Sequence, residues 1–450
     1  MKNVSLLLLL AAVPCLAQDA LTLQDAVRLA VSHNHAIEAA GAAVKESDSR
    51  ITEARSGFLP KVSYSQSWTR SDNPVFVFGS LLTQHQFTAD NFQLGSLNQP
   101  DFLNNFQSVI TADQSLYDGG QTRHAVRSAE LNRDIASEEG RRTQMDVIAA
   151  VVRAYCDVLL SDQQLTAVTQ ALKSVQSDLT RAESVRDAGM STDADVLSIR
   201  VHLAAVREEQ IRRQADAEVA RAALNDALGI PLDTPHNLTS PLAAAEPAAV
   251  SGSQETSAIE LRPESRESKM MTSLAETQSA SARSRYLPQV TAHSAFETDA
   301  QRFVTRGGTN WLVSIGLQWN LFNGLADKAR VEQAQFAASR ASAEKARVDS
   351  AIRLQVLRAS ADVRAANERI EVARASVSEA EESLRITQNR YEAGIANVTE
   401  LLRTETALLD ARTRQLAAVR DQRVAAAMLD LATGTLTPDS VVVSERNTNR

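Results

Sequence analysis

Reactive side chains are sparse in this chain, and their spacing assembles no catalytic or metal-binding set. His33 and His35 stand two apart in a segment patterned as helix, so they point to different faces and cannot chelate as an i, i+4 pair would. The remaining histidines are scattered, and no glycine-rich loop has the spacing that cradles phosphate. Cys15 and Cys156 lie far apart, and Cys156 falls in a helical stretch where a small apolar side chain packs well. These residues argue against an enzyme and imply no cofactor or metal. The formal net charge is −8 and the Lys and Arg residues are dispersed, so no basic patch exists to track nucleic acid.

The first residues run Met1-Lys2-Asn3, then the apolar stretch Val4 to Val13, then Cys15-Leu16-Ala17 before Gln18-Asp19. A charged start, a short apolar run and a small residue before the cut read as a signal peptide, residues 1–17. The apolar run is about half of the roughly 20 residues a membrane-spanning helix needs. Lipid attachment at Cys15 is the alternative fate, and Pro14 fits it poorly. Cleavage after Ala17 leaves Cys156 alone, so packing and assembly rather than an intrachain disulfide must stabilise the mature chain. No other stretch is apolar for long enough to cross a bilayer as a helix. If this protein spans a membrane, strands must do it.

Gly (16), Pro (11) and aromatic residues (4%) are scarce among 450 residues rich in Ala, Leu, Val, Glu, Arg and Gln, the profile of long helices with small contact residues. The chain also repeats itself. Leu116-Tyr117-Asp118-Gly119 matches Leu321-Phe322-Asn323-Gly324, Arg186-Asp187-Ala188-Gly189 matches Tyr391-Glu392-Ala393-Gly394, and Ala223 to Gly229 matches Met428 to Gly434, all at one offset of 205. Phe58-Leu59-Pro60 matches Tyr286-Leu287-Pro288 at an offset of 228, so the first half carries an insertion. The expected organisation is a first structural repeat, 18–232, a Pro- and Ala-rich linker, 233–255, a second repeat, 256–434, and a disordered tail, 435–450.

Each half orders as helix, strand, strand, long helix, shorter helix. Val356, Val363, Ile370, Val377 and Leu384 recur every seven residues, with Ala359, Ala366, Ala373 and Ala380 three positions on; Val151, Val158, Leu165, Leu172 and Leu179 repeat the seam. Long helices are expected over about 120–187 and 325–391, on the order of 100 Å each. Segments of about 22–57 and 192–228 are each near half that length. Strands are expected over about 61–71, 107–117, 288–298 and 311–321, where apolar and polar residues alternate as Trp311, Val313, Ile315 and Leu317 do with Ser314, Gly316 and Gln318. A sandwich edge would also alternate. Four strands cannot close a transmembrane barrel, which takes roughly eight or more, so oligomerisation is required. Trp68, Trp311 and Trp319 lie near these strands, at membrane interfaces or in a core. The insertion, Asn73 to Asn105, is rich in Phe and reads as an extracellular loop over a barrel mouth.

On the duplicated anchors Phe58-Leu59-Pro60 and Tyr286-Leu287-Pro288, Leu116-Tyr117-Asp118-Gly119-Gly120 and Leu321-Phe322-Asn323-Gly324, and Arg390-Tyr391-Glu392-Ala393-Gly394, the chain resembles the outer-membrane efflux protein family, the TolC-like outer membrane factors. The resemblance covers nearly the whole mature chain. It implies a mainly α fold with a small β portion: a long coiled-coil helical tunnel continued by a transmembrane β-barrel that a homotrimer builds from four strands per protomer. It implies an outer-membrane location with a large periplasmic part, and a passive conduit in a tripartite efflux or type I secretion system. The partners would be a periplasmic adaptor and an inner-membrane transporter. Family members carry a small residue and Gly at the helical hairpin tips where the adaptor makes contact, here Ala188-Gly189-Met190 and Ala393-Gly394-Ile395. They also place acidic side chains after this Gly, at a periplasmic aperture; six residues on from each Gly stand Asp195 and Glu400. Where TolC has a further acidic residue this chain has Arg403, which suggests an Arg403 pair with Glu400 or Asp195. Each Gly is also a plain helix C-cap, and Asp193 reads as capping or charging the next helix. A periplasmic coiled-coil scaffold or adaptor is the alternative, and the duplicated strand pairs argue against it.

Overall fold

The computed structural model describes residues 20–245, 254–303 and 307–444. The expected signal peptide with Cys15, linker residues 246–253 and tail residues 445–450 lie outside them. In chain order the elements are β1 (Ala20–Leu21), α1 (Leu23–His33), α2 (His35–Arg55), β2 (Lys61–Ser71), α3 (Pro74–Thr83), α4 (Leu94–Asn98), β3 (Leu103–Tyr117), α5 (Gln121–Asp187), α6 (Asp193–Leu228), β4 (Asn237–Leu238), α7 (Gln254–Leu261), α8 (Pro263–Ser284), β5 (Gln289–Ala300), β6 (Gly308–Gln318), α9 (Ala326–Glu392) and α10 (Val398–Thr433). The repeat is visible in their lengths: α5 and α9 have 67 residues each, α6 and α10 have 36 each. No helix among the described residues is long and apolar enough to cross a membrane.

Two units emerge. One takes the described parts of Ala42–Ser137 and Glu267–Ala346 and holds a four-stranded antiparallel sheet in the order β2-β3-β5-β6. Register turns the sequence alternation into two faces. Tyr64 opposes Ile110, Ile110 opposes Phe296 and Phe296 opposes Trp311, so one rung of large apolar side chains crosses the whole sheet, all of them exposed. The rung beside it, Ser65, Val109, Glu297 and Asn310, points to the other face, where Ser63 bonds Thr111 at 2.7 Å and His293 bonds Asp113 at 2.6 Å. Strand β6 ends at Gln318, earlier than the alternation suggests, because its partner β5 starts after Pro288; Trp319 instead donates from Nε1 to the Tyr286 carbonyl, 3.0 Å. The motif after each strand pair caps the next helix. Asp118 accepts from the Gly120 and Thr122 amides, and its counterpart Asn323 accepts from the Asp327 amide.

The insertion is more than an irregular loop. Asn73 accepts from the Val75 and Phe76 amides and Pro74 takes the first helical position, which starts α3. Phe87 meets Phe78 and Phe92 edge-on at 4.9 and 5.1 Å. Gln84 donates to Asn105, which donates to the buried Asp299 at 2.6 Å, and this network extends β3 back to Leu103. A Cβ at Gly308 would stand 1.8 Å from the Thr83 carbonyl oxygen, so only glycine permits that approach.

The other unit takes the described parts of Met1–Gly41, Glu138–Arg266 and Arg347–Arg450 and is helical. The heptad seams turn inward as expected: Val151, Val158, Val168, Val175 and Ala182 on α5 are buried, as are Val356, Ala359, Val363, Ala366 and Ile370 on α9. The segment expected as one helix over 22–57 is instead broken at Asn34. Its Nδ2 donates to the Ala227 carbonyl at 2.9 Å, and Gly229, the left-handed C-cap of α6, abuts the His33 carbonyl so closely that a Cβ would sit 2.6 Å away. The second repeat breaks at the equivalent place: Gly434 caps α10 against Arg262, between α7 and α8, with Pro263 opening α8.

Two further expectations are corrected. Linker residues pack, since Asn237–Leu238 pairs with Ala20–Leu21 and Ser240 is buried; the start of the tail packs too, with Leu436 and Val443 only 1% and 0% exposed. Tyr155 holds this corner together. Its hydroxyl donates to the Leu21 carbonyl at 2.8 Å and accepts from the Ser240 amide at 3.2 Å, both buried. Replacing Tyr155 with Phe strands the buried Ser240 amide, while the Leu21 carbonyl keeps the Thr239 amide, at a cost of about 1–3 kcal/mol. The expected outcome is a lower Tm of the helical signal in circular dichroism of the detergent-solubilised protein, with no change in β content.

Candidate functional site

The two helical hairpins of the second unit turn in the same way. Gly189 takes φ 77° after α5 and Gly394 takes φ 73° after α9. In each turn the glycine amide bonds back to Arg186 or Tyr391, and the next amide reaches further, Met190 to the Val185 carbonyl at 3.0 Å and Ile395 to the Arg390 carbonyl at 2.8 Å. These are Schellman caps, which need a left-handed residue. Open space surrounds both glycines, so conformation rather than crowding selects them. Ala188 and Ala393 are exposed, and at the apices Met190 and Ile395 are 76% and 69% exposed. The two repeats thus expose an apolar side chain at the same place in each turn.

The returning helices start with paired devices. Thr192, not Asp193, caps α6: its hydroxyl accepts from the Asp195 amide, while the Asp195 carboxylate accepts from the Thr192 hydroxyl at 2.9 Å, the Thr192 amide at 3.3 Å and Ser191 at 3.1 Å. The Thr192 hydroxyl, with these further bonds, holds the Asp195 pKa below the usual carboxylate range, so it stays ionised. Asp193 is the first helical residue, 3.7 Å from Arg186. Asn397 caps α10 by accepting from the Glu400 amide at 2.8 Å, and Glu400 accepts from Arg390 at 3.1 Å. Arg403 is exposed and has no ion-pair partner among the described residues. The suggested pairing of Arg403 with Glu400 or Asp195 is therefore not formed; Arg390, on the neighbouring helix α9, takes Glu400 instead, across 10 residues of chain.

Between the hairpins, above the turns, lies a cluster that the sequence did not advertise. Val168, Val175, Ala182, Val196, Ile199, Val206 and Val398 pack together with Tyr391 against them. Arg181 of α5 pairs with Glu392 of α9. Into this apolar layer three ionisable side chains project: Asp178 of α5, His202 of α6 and Glu405 of α10. A signal for them existed. Asp178 follows Val175 by three, His202 follows Ile199 by three and Glu405 follows Leu401 by four, so each sits on its helix's buried stripe. Among the described residues no group of His, Cys, Asp and Glu has metal-binding geometry.

A family model described as outer membrane efflux protein matches residues 26–230 and 256–435. Protein CyaE of Bordetella pertussis is 26% identical over 426 residues, 93% of this chain and 85% of that protein. The pyoverdine export outer membrane protein OpmQ of Pseudomonas putida is 23% identical over 405 residues, 87% of this chain and 81% of that protein. Among solved structures, one of CusC superposes with a TM-score of 0.78 at 17% identity, covering 92% of each chain.

The turns make a direct prediction. Gly394→Ala and Gly189→Ala place a Cβ in the left-handed region with space to spare, so strain alone opposes them, about 1–2 kcal/mol each. Hydrogen exchange should quicken in the last turn of α9 or α5 and nowhere else, and protection that is unchanged would refute the capping role.

Proposed function

Since the chain belongs to the outer membrane efflux protein family, we propose that three copies of this outer-membrane protein close their sheets into one barrel and serve as a passive conduit for efflux or secretion. The observation that carries this reading is the sheet itself. Its outer strands, β2 and β6, have no further neighbour among the described residues, one face bears the rung Tyr64, Ile110, Phe296 and Trp311, and the other is mostly polar, with Ser, Thr, Gln and Asn beside Lys61, Asp113, His293 and Glu297. Joining β6 of one copy to β2 of the next satisfies every edge amide, turns the apolar face to lipid and leaves a polar lumen. A homotrimer in contact with outer-membrane lipid follows.

The helical hairpins would then face the periplasm. Ala188-Gly189-Met190 and Ala393-Gly394-Ile395 are the surfaces offered to a periplasmic adaptor, whose inner-membrane transporter supplies the energy. The conduit itself catalyses nothing in this reading. Asp195 and Glu400 gather at the aperture, where ionised carboxylates from three copies favour cations. Their capping roles do not compete with this, because a carboxylate at the third position of a helix keeps its charge at the helix end. Arg403, three residues on from Glu400 and without an ion-pair partner among the described residues, moderates the field.

Single-channel recording in planar bilayers tests the reading. The purified protein should form stable cation-preferring pores; Asp195→Asn and Glu400→Gln, which keep hydrogen-bonding capacity, should lower that preference, and Arg403→Glu should raise it. Pores that ignore all three substitutions would place the constriction elsewhere. A folded protein that forms no pore would return the chain to a periplasmic scaffold.

A further inference from the structure

The buried cluster between the hairpins has no part in capping the tips or lining an aperture. Glu405 projects from α10 into the layer of α5 and α6, its side chain 8% exposed; neither of its oxygens makes a hydrogen bond of good geometry, and the Ser174 hydroxyl of α5 is the donor beside it. The Asp178 carboxyl of α5 lies against it, with one of its own oxygens likewise buried and unsatisfied. His202 of α6 approaches to 3.8 Å, at 18% exposure. A partly open cavity of about 490 Å³ with a mixed lining adjoins the group, walled by Val175, Val206, Leu384 and Leu408 and by Ser174 and Thr406. Of the other charges nearby, Arg181, one turn along α5 from Asp178, is paired with Glu392 of α9 and Tyr391 of α9 faces Asp178; Glu209 of α6 is held by Arg213 at 2.8 Å, Arg412 of α10 is held by Glu381 of α9 at 2.8 Å, and Asp410 of α10 is exposed.

Two carboxyl groups this close, the Glu405 one buried, repel each other when both are ionised, and a proton held at Glu405 removes that repulsion. We propose that Asp178, Glu405 and His202 form a proton-binding site that sets how tightly α10 is held to the α5–α6 hairpin. With one proton present, an O–H to O⁻ hydrogen bond ties α10 to α5. Remove it and the tie becomes a repulsion between two buried charges, which the helices relieve by parting and letting water into the adjoining cavity. The tips at the ends of these helices then gain freedom.

Burial first, and then the Asp178 carboxylate, push Glu405 from its ordinary 4.5 up to about 8. The packed state therefore holds a proton that the parted state releases between those values. Contact favoured by this proton is complete below pH 4.5 and is lost as pH rises through 8. His202 works in the opposite sense. Burial, against the pull of Asp178, holds its pKa below the ordinary 6.5, so parting is favoured as pH falls through that lowered value. The contact is tightest in the weakly acidic range between the two.

Spin labels at the exposed tip positions, Met190→Cys and Ile395→Cys, report the separation of the hairpins in the full-length protein, while Cys156 is buried away from label. The distance distribution should be narrow at pH 6 and lengthen or broaden by pH 9. Glu405→Gln keeps a neutral hydrogen-bonding side chain and should hold the narrow distribution at both values. Asp178→Asn should move the transition to lower pH. A wild-type distribution that is unchanged between pH 6 and pH 9 overturns the proposal whatever the variants do, and so does a Glu405→Gln protein that still titrates. If Glu405→Gln does not fold, the Asp178→Asn transition decides alone: one unmoved from wild type refutes the shared proton. None of these outcomes depends on whether the protein conducts ions.

Discussion

An antiparallel sheet whose two edges are unpaired among the described residues, and whose large apolar side chains Tyr64, Ile110, Phe296 and Trp311 stand exposed on one face, is the constraint to which the rest of the chain answers. The edge strands β2 and β6 carry rows of backbone donors and acceptors, and in hydrocarbon each unsatisfied group costs several kcal/mol. Four strands of 11, 15, 12 and 11 residues are too few to close on themselves, and the proposed trimer is the arrangement that would pair the edges. Much else answers to that demand. Asp118 and Asn323 turn the chain out of the sheet into long helices, Pro60 and Pro288 open β2 and β5, and the small-residue seams of α5 and α9 let helices pack without the aromatic bulk of a globular core.

Duplication supplied the parts in pairs, and the pairs have since taken different chemistry. Both repeats break the entering helix where the last shorter helix ends, at Asn34 against Gly229 and at Arg262 against Gly434. Asn34 settles its break with one bond to a carbonyl, whereas Arg262 reaches Gln355 at 2.6 Å and Glu264. The tips show the same drift. One returning helix is started by a reciprocal Thr192 and Asp195 box, the other by Asn397 with Glu400 left free to take Arg390. Equal backbone geometry with unequal side chains lets each hairpin be tuned alone.

What the sequence made legible was whatever local rules decide. Heptad valines and alanines announced α5 and α9, alternation announced the strands, and the glycines at 189 and 394 announced the turns. The break at Asn34 was hidden because its cause is Gly229, far away in the chain. Leu238, Leu436 and Val443 gave no periodicity and were read as linker and tail, yet they fill the same core as Tyr155. Asn73-Pro74 did carry a helix-start signal, overshadowed by the phenylalanines that follow. Asp178, His202 and Glu405 were visible only as polar residues on apolar stripes, a pattern that becomes meaningful once three helices are seen to converge.

The two units interleave along the chain. The helical one draws on an opening, a middle and a closing stretch, and its first strand, β1, is secured by Tyr155 and by Ser240, more than a hundred residues later. Nothing of that unit synthesised early can therefore settle early. Such an arrangement has a high contact order and forbids a stable fold until the last third has emerged, which keeps folding slow. For an outer-membrane protein, lateness of this kind leaves the helical unit open to chaperones until its closing stretch arrives, while the strands, which belong to the other unit, can pair before then.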